Sequence, residues 1–281
     1  MPELLRDNTH IHYQISGSGP PVVLLHSFLC SGAMWEPQLE PLSERYRVIN
    51  FDLRGHGSSG PCNTPFDLDD LVADVLAVLD QLGIDRAVWA GLSIGGMIAL
   101  RAALVAGPRV AGLLLLDTDA GSETSYKKFK YRFLVTLAGL LGTAPLMPLV
   151  VKMFFCKETR KNIPELVSTW HERFNDVPLQ TVRSGVAALV RRDAILDRLG
   201  TVTTPALVIV GAEDQSLPPA CSRKLADALG NAELLVVEKA EHLSNLEQPE
   251  VVTSAMLGYL DVNYQGSDNC RTRFRIKRSS T

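Results

Sequence analysis

Six short apolar runs rich in β-forming residues punctuate the chain: PVVLLH at 21–26, YRVINFD at 46–52, AVWAGLS at 87–93, VAGLLLLD at 110–117, PALVIVG at 205–211 and AELLVVE at 232–238. None alternates strictly between apolar and polar positions, which is the pattern of strands covered on both faces. Between them the period changes to that of a helix. Over 67–82, Leu68, Leu71, Val72, Val75, Leu76, Val78, Leu79 and Leu82 fall largely on one face. Segments 218–229 and 249–260 each open on proline, which suits a first helical turn. Strands alternating with helices predict the α/β class, with a mostly parallel central sheet covered by helices. A hairpin around 11–15, turned near Gly17-Ser18-Gly19, is expected to add antiparallel strands.

The rhythm breaks over 118–198, where no β-like run occurs and several helices are expected. A structureless loop of that length is rare, so the stretch predicts an inserted helical cap. The division that follows is a core of 1–117 and 199–262, a cap of 118–198, and a tail of 263–281 without a core pattern, expected to be disordered. Within the cap, 133–151 carries no charge and is long enough to span a bilayer. Gly139, Gly142, Thr143, Pro145 and Pro148 interrupt it, so two helices are expected there rather than a membrane span.

Composition narrows the setting. A chain of 281 residues with 46% hydrophobic and 21% charged residues can bury a core without a disulfide or metal staple. The net charge of −3 argues against a nucleic-acid partner. The tail from residue 265 holds Arg271, Arg273, Arg275, Lys277 and Arg278 against Asp268 alone, a net of +4 that leaves −7 for the rest. Five scattered cysteines, with no metal-ligand spacing, read as free thiols of a reducing compartment. The first ten residues, MPELLRDNTH, show no apolar signal core, so a cytoplasmic location is expected.

Chemistry concentrates at strand ends. Gly91-Leu92-Ser93-Ile94-Gly95-Gly96 follows one apolar run and opens a helical pattern. A serine on so sharp a strand-to-helix turn stands clear of its neighbours, and glycines two positions either side remove side chains that would collide. The helix behind it offers free N–H groups and the positive end of a dipole. A small residue fitting a tight turn is the plainer explanation; strand before, helix after and a central place in the sheet favour Ser93 as a nucleophile.

A serine hydroxyl needs a base. His10 and His12 fall in the expected hairpin, and His26 ends a strand, where a structural hydrogen bond is expected. His56 lies in the glycine-rich DLRGHGS stretch, and His171 lies in the cap. His242 alone follows the last strand, at the sheet end where Ser93 is placed. The acid that orients it is expected to be Asp214, just past PALVIVG, in the order Ser, Asp, His. Asp117 and Asp119, after the preceding strand, are rivals, and a turn or cap role for Asp214 is the alternative. Two N–H donors must face a developing oxyanion. Ile94 supplies one, and the loop after PVVLLH supplies the other, assigned to Phe28. No His, Cys or carboxylate cluster has metal-ligand spacing and no dinucleotide fingerprint follows a strand, so neither metal nor cofactor is expected.

With these residues in place the sequence resembles the α/β-hydrolase fold family over about residues 10 to 260. LLHSF, DLRGHGSS, GLSIGGM, GAEDQSLPP and AEHLSNLEQPE are the matching pieces, in the family's order. HSF, GLSIGGMIAL and EHLSNLEQPE resemble most the 3-oxoadipate enol-lactonase-like group. Relatives with an aspartate nucleophile open halides and epoxides, and Ser93 departs from them. The Gly-Pro-Gly oxyanion loop of carbon–carbon hydrolases and the loop proline of haloperoxidase-like perhydrolases are replaced here by Ser27-Phe28-Leu29.

The resemblance implies a serine hydrolase acting on a small ester or lactone. A cofactor-independent oxygenase using His242 and Asp214, and a noncatalytic small-molecule receptor, are the alternatives on the same fold. A small enol-lactone diacid calls for a cation, and Arg132, Arg160, Arg173, Arg183, Arg191 and Arg192 are candidates in or near the cap. The apolar first half of the cap points elsewhere. Either it only packs cap helices together, or part of it lines an acyl pocket with Leu29, Phe133, Leu137 and Leu146 against substrate. The second reading favours a medium-chain ester or an N-acyl homoserine lactone.

Overall fold

The computed structural model describes residues 3–62 and 64–264. The chain opens with β1 (Glu3–Arg6), β2 (Thr9–Ser16) and β3 (Pro21–Leu25), followed by α1 (Glu36–Ser43) and β4 (Arg47–Phe51). Next come α2 (Leu68–Gln81), β5 (Ala87–Leu92), α3 (Ile94–Val105) and β6 (Val110–Leu116). Five helices then intervene: α4 (Ser125–Leu141), α5 (Met147–Phe154), α6 (Lys157–Asn162), α7 (Pro164–Asn175) and α8 (Leu179–Arg191). The chain returns to the sheet through β7 (Ala206–Gly211), α9 (Pro219–Leu229) and β8 (Ala232–Val237), and closes with α10 (Ser244–Glu247) and α11 (Pro249–Asn263). The basic tail, expected to be disordered, lies outside the described residues from 265 onward.

The eight strands form one sheet in the order β1-β2-β4-β3-β5-β6-β7-β8, parallel from β4 to β8. The hairpin differs from the sequence expectation. Its turn is Asp7-Asn8, both at positive φ of 50° and 60°, as a two-residue turn matched to strand twist requires. Gly17-Ser18-Gly19 instead carries the chain from β2 to β3, and β2 bonds to β4. A Cβ on Gly17 would stand 2.2 Å from the Ser43 carbonyl oxygen, so that crossing requires glycine.

The absence of alternation in the strands has a direct cause. Val23, Leu25, Trp89, Leu113, Leu115 and Val208 enter the core on one face, with the apolar stripe of α2. Val22, Leu24, Val88, Ala90, Leu114, Leu116, Leu207 and Ile209 enter the core on the other, with Trp35 and the buried side of α11. Each valine, leucine and isoleucine among them contributes about 1.5–3 kcal/mol by leaving water. Helix α2 begins where its cap dictates: the Asp67 carboxylate accepts the N–H groups of Asp69 and Asp70, and Asp70 returns the bond to the Asp67 N–H.

The uncharged stretch 133–151 is divided. Helix α4 ends at Gly142 (φ 81°) and α5 starts with Pro148 in its first turn. Among the described residues no helix is long and apolar enough to cross a membrane. Helices α4 and α8 pack together, as do α5 and α7, over the carboxyl ends of the strands.

Candidate active site

Ser93 stands between β5 and α3 with φ 56° and ψ −115°, a conformation that non-glycine residues rarely adopt and that costs about 1–3 kcal/mol. The turn is tight enough to exclude side chains beside it. A Cβ on Gly91 would meet the Gly95 carbonyl carbon at 2.2 Å, and one on Gly95 would meet the Leu25 carbonyl oxygen at 2.2 Å. The Ser93 backbone is fastened at both ends: its N–H donates to Leu116 O at 2.9 Å and its carbonyl accepts the Thr118 hydroxyl at 2.7 Å.

His242 Nε2 lies 3.0 Å from Ser93 Oγ, and its Nδ1 lies 2.8 Å from Asp214 Oδ2. With Nδ1–H donating to the carboxylate, Nε2 presents its lone pair to the Ser93 hydroxyl. Asp214 is held by the Leu217 N–H at 2.8 Å on its other oxygen. Burial by itself favours the neutral imidazole, but the Asp214 carboxylate, aided by the charges of Asp117 and Glu241, outweighs it and raises His242 to about 9.

The rival acids are engaged elsewhere. Asp117 is fully buried and accepts the Gly211 N–H at 2.8 Å and the Ser244 hydroxyl, tying the end of β7 to the segment that follows His242. Burial, then the neighbouring Asp214 charge, pushes its carboxyl well above the usual range. Asp119 faces Arg192 at 3.8 Å.

The loop after β3 makes a turn in which the Cys30 N–H donates to Ser27 O at 3.0 Å, and Leu29 takes φ 65°. Among the described residues the N–H groups of Phe28 and Ile94 donate to no acceptor. His26 steadies this loop. Its Nε2 accepts the Leu53 N–H at 2.8 Å, so Nδ1 donates to Ser27 O at 2.7 Å, and burial lowers its pKa. His56, packed edge-on against His26, is lowered to about 3, first by burial and then by that neighbour. Both rings are neutral structural groups.

Ser93 and His242 open into a cavity of about 160 Å³ between the sheet and helices α4, α5 and α8. Its walls are mostly apolar. Leu29 and Leu146 line it as expected from sequence; Phe133 and Leu137 do not. Helix α4 is rotated relative to that expectation, so Leu134, Val135 and Ala138 face the cavity while Phe133 is 57% exposed, stacked on Phe129. None of the six candidate arginines lines the cavity; its charged side chain other than His242 is Glu123.

Several residues with a place in the site carry no motif of their own. Phe154, at the end of α5, stacks on the His242 ring with centroids 5.4 Å apart. Glu241 accepts the N–H groups of Gln215 (3.0 Å) and His242 (3.2 Å), joining the loops that carry Asp214 and His242, and burial raises it to about 7. Glu247 accepts the N–H groups of Glu241 (2.6 Å) and Cys156 (2.8 Å), which fastens the cap to the histidine loop. In the sequence these are acids near a histidine, and only the folded chain shows which N–H groups they meet. Among the described residues no group of His, Cys, Asp and Glu is arranged to hold a metal ion.

A family model described as alpha/beta hydrolase fold matches residues 20–249. The 3-oxoadipate enol-lactonase 1 of Acinetobacter baylyi is 27% identical, covering 91% of this chain and 94% of its own length. The enol-lactonase of Burkholderia xenovorans LB400 superposes with a TM-score of 0.87 at 28% identity, over 92% of this chain and 100% of that one. Est816, an N-acyl homoserine lactone degrading enzyme, superposes with a TM-score of 0.81 at 30% identity, over 92% and 100%.

Proposed function

We propose that this chain, which belongs to the α/β-hydrolase fold family, is a hydrolase of carboxylic esters or lactones that works through an acyl-enzyme on Ser93. The observation that carries the reading is the line Ser93–His242–Asp214, with contacts of 3.0 and 2.8 Å, opening on an apolar cavity. Ser93 Oγ attacks the carbonyl carbon while His242 Nε2 takes its proton. The carbonyl oxygen becomes an oxyanion held by the Phe28 and Ile94 N–H groups, and the Asp214 charge stabilises the imidazolium. Collapse breaks the bond to the alcohol oxygen, which takes the proton back from His242. For a lactone that alcohol remains part of the acyl group. A water then attacks the acyl-enzyme with the same base, releasing the acid and restoring Ser93.

The cavity also bears on substrate class. A free carboxylate on the substrate would meet Glu123 and no lysine or arginine side chain, so a diacid such as an enol-lactone of 3-oxoadipate is disfavoured. A medium acyl chain suits the apolar walls, whether on an ester or on an N-acyl homoserine lactone. The test is release of p-nitrophenol from p-nitrophenyl butyrate by the wild type and by Ser93→Ala. A burst followed by steady turnover, abolished in a Ser93→Ala protein with unchanged circular dichroism, is expected. Full activity in Ser93→Ala would overturn the nucleophile, and no hydrolysis by the wild type would return the oxygenase and receptor readings.

A further inference from the structure

Besides Ser27 Oγ in the loop after β3, two larger polar groups stand in the apolar cavity wall with bonding capacity unused. Glu123, ahead of α4, is 9% exposed, and one oxygen accepts Arg192 Nη1 at 2.7 Å. Its other oxygen has no partner among the described residues. Arg192 is itself held by Gly121 O at 2.9 Å and Leu189 O at 3.0 Å, so the carboxylate it clamps is a fixed acceptor. Tyr131, on α4, lines the same cavity, and its hydroxyl makes no hydrogen bond among the described residues. Burial, reinforced by the Glu123 charge, raises the phenol to about 12, so it is an O–H donor throughout the ordinary pH range. Tyr131 shares this cavity with Ser93 and His242.

Buried polar groups are normally paired, and an acceptor and a donor left open in one apolar wall need a ligand that offers the complement of both. We propose that Glu123 and Tyr131 form a subsite for a secondary amide next to the scissile carbonyl, with the amide N–H donating to Glu123 and the amide C=O accepting from Tyr131. The substrate class is then N-acylated lactones and related amide-bearing esters. The proposal rests on the hydrolase reading of Ser93 for its reaction, although not for its binding. A plain ester or an alkyl lactone brings no donor for Glu123, and a free carboxylate is repelled by it. In an N-acyl homoserine lactone the amide nitrogen sits on the carbon beside the lactone carbonyl, so an amide and a scissile carbonyl enter the same cavity together. Sites built around hydrogen bonds discriminate strongly against analogues that lack them, because the unpaired groups stay buried.

The experiment compares N-hexanoyl homoserine lactone with α-heptyl-γ-butyrolactone, which replaces the amide by two methylenes at equal length. Dissociation constants are measured by calorimetry on Ser93→Ala protein, so that binding is read without turnover, and kcat/KM is measured on the wild type. The amide lactone is expected to bind at least tenfold tighter than the alkyl lactone. Adding Tyr131→Phe, or Glu123→Gln, whose amide group can turn a donor toward the amide N–H, should cut that ratio about tenfold. A ratio near one overturns the subsite, as does a ratio that neither substitution changes. If either variant fails to fold, the ligand pair on the Ser93→Ala protein alone decides. Preferential binding without hydrolysis by the wild type would leave the subsite standing and remove the hydrolase reading.

Discussion

Replacing Asp214 by asparagine tests the proposed triad most directly, because the substitution keeps the side-chain shape and removes the charge. In the wild type the rise of His242 from 6.5 to about 9 corresponds to roughly 3.4 kcal/mol at ~1.36 kcal/mol per pH unit. Asp214 provides the largest part of that stabilisation, and it is the imidazolium formed in the transition state that benefits. Losing it predicts a fall in kcat/KM of about 10²-fold. The asparagine can also turn its NH2 toward Nδ1 and favour the wrong tautomer, which extends the expected loss toward about 10⁴-fold. The pH dependence carries the sign. Only neutral His242 accepts the serine proton, so wild-type kcat/KM should climb as pH rises through about 9. Without the Asp214 anion the largest opposing charge to burial is gone, so the residual activity of Asp214→Asn should have its midpoint well below the wild-type value. The assay is p-nitrophenyl butyrate hydrolysis from pH 5 to 10, with thermal melts to establish folding and Asp119→Asn as a control. A loss smaller than tenfold, or an unmoved midpoint, would refute the reasoning. An inactive Asp119→Asn beside an active Asp214→Asn would reassign the acid.

Glu241→Gln removes a second negative charge that raises His242; its activity midpoint should move below the wild-type value but less far than that of Asp214→Asn, and an upward shift would contradict the assignment. Along p-nitrophenyl esters from acetyl upward, kcat/KM should rise about fourfold per methylene, from ~0.8 kcal/mol each, until the cavity is filled; a monotonic fall with length would exclude an acyl pocket. Gly185→Ala places a Cβ 2.3 Å from the Phe28 ring and should displace the loop that offers the Phe28 N–H. A kcat loss of at least about tenfold is expected, given the ~10²–10³ that one oxyanion donor is worth, and an unchanged kcat would argue against Phe28 as a donor.

The sequence determined, by itself, what depends on neighbours along the chain. Unbroken apolar runs marked the central strands because both faces are covered, the apolar stripe over 67–82 marked α2, and the strand–Gly91–Ser93–Gly95–helix pattern placed a serine on a strained turn. Chain order and strand ends pointed to Asp214 and His242 with Asp117 and Asp119 as rivals, since parallel strands bring their carboxyl ends to one edge; the 2.8 Å contact of His242 with Asp214 is a property of the folded chain. The hairpin turn was misplaced because two glycines outweighed Asp7-Asn8, although either signal can turn a chain; pairing of β2 with β4 decided between them. In the cap, apolar residues occur on several sides of α4, so periodicity left its rotation open. Contact with α8 set it, turning Leu134 and Ala138 inward and leaving Phe133 in solvent. Glu123, Tyr131, Phe154 and Glu241 come from segments far apart in sequence or unmarked by any local pattern. Their surroundings exist only once the cap has closed over the strand ends, because burial and hydrogen-bond partners are properties of the packed chain.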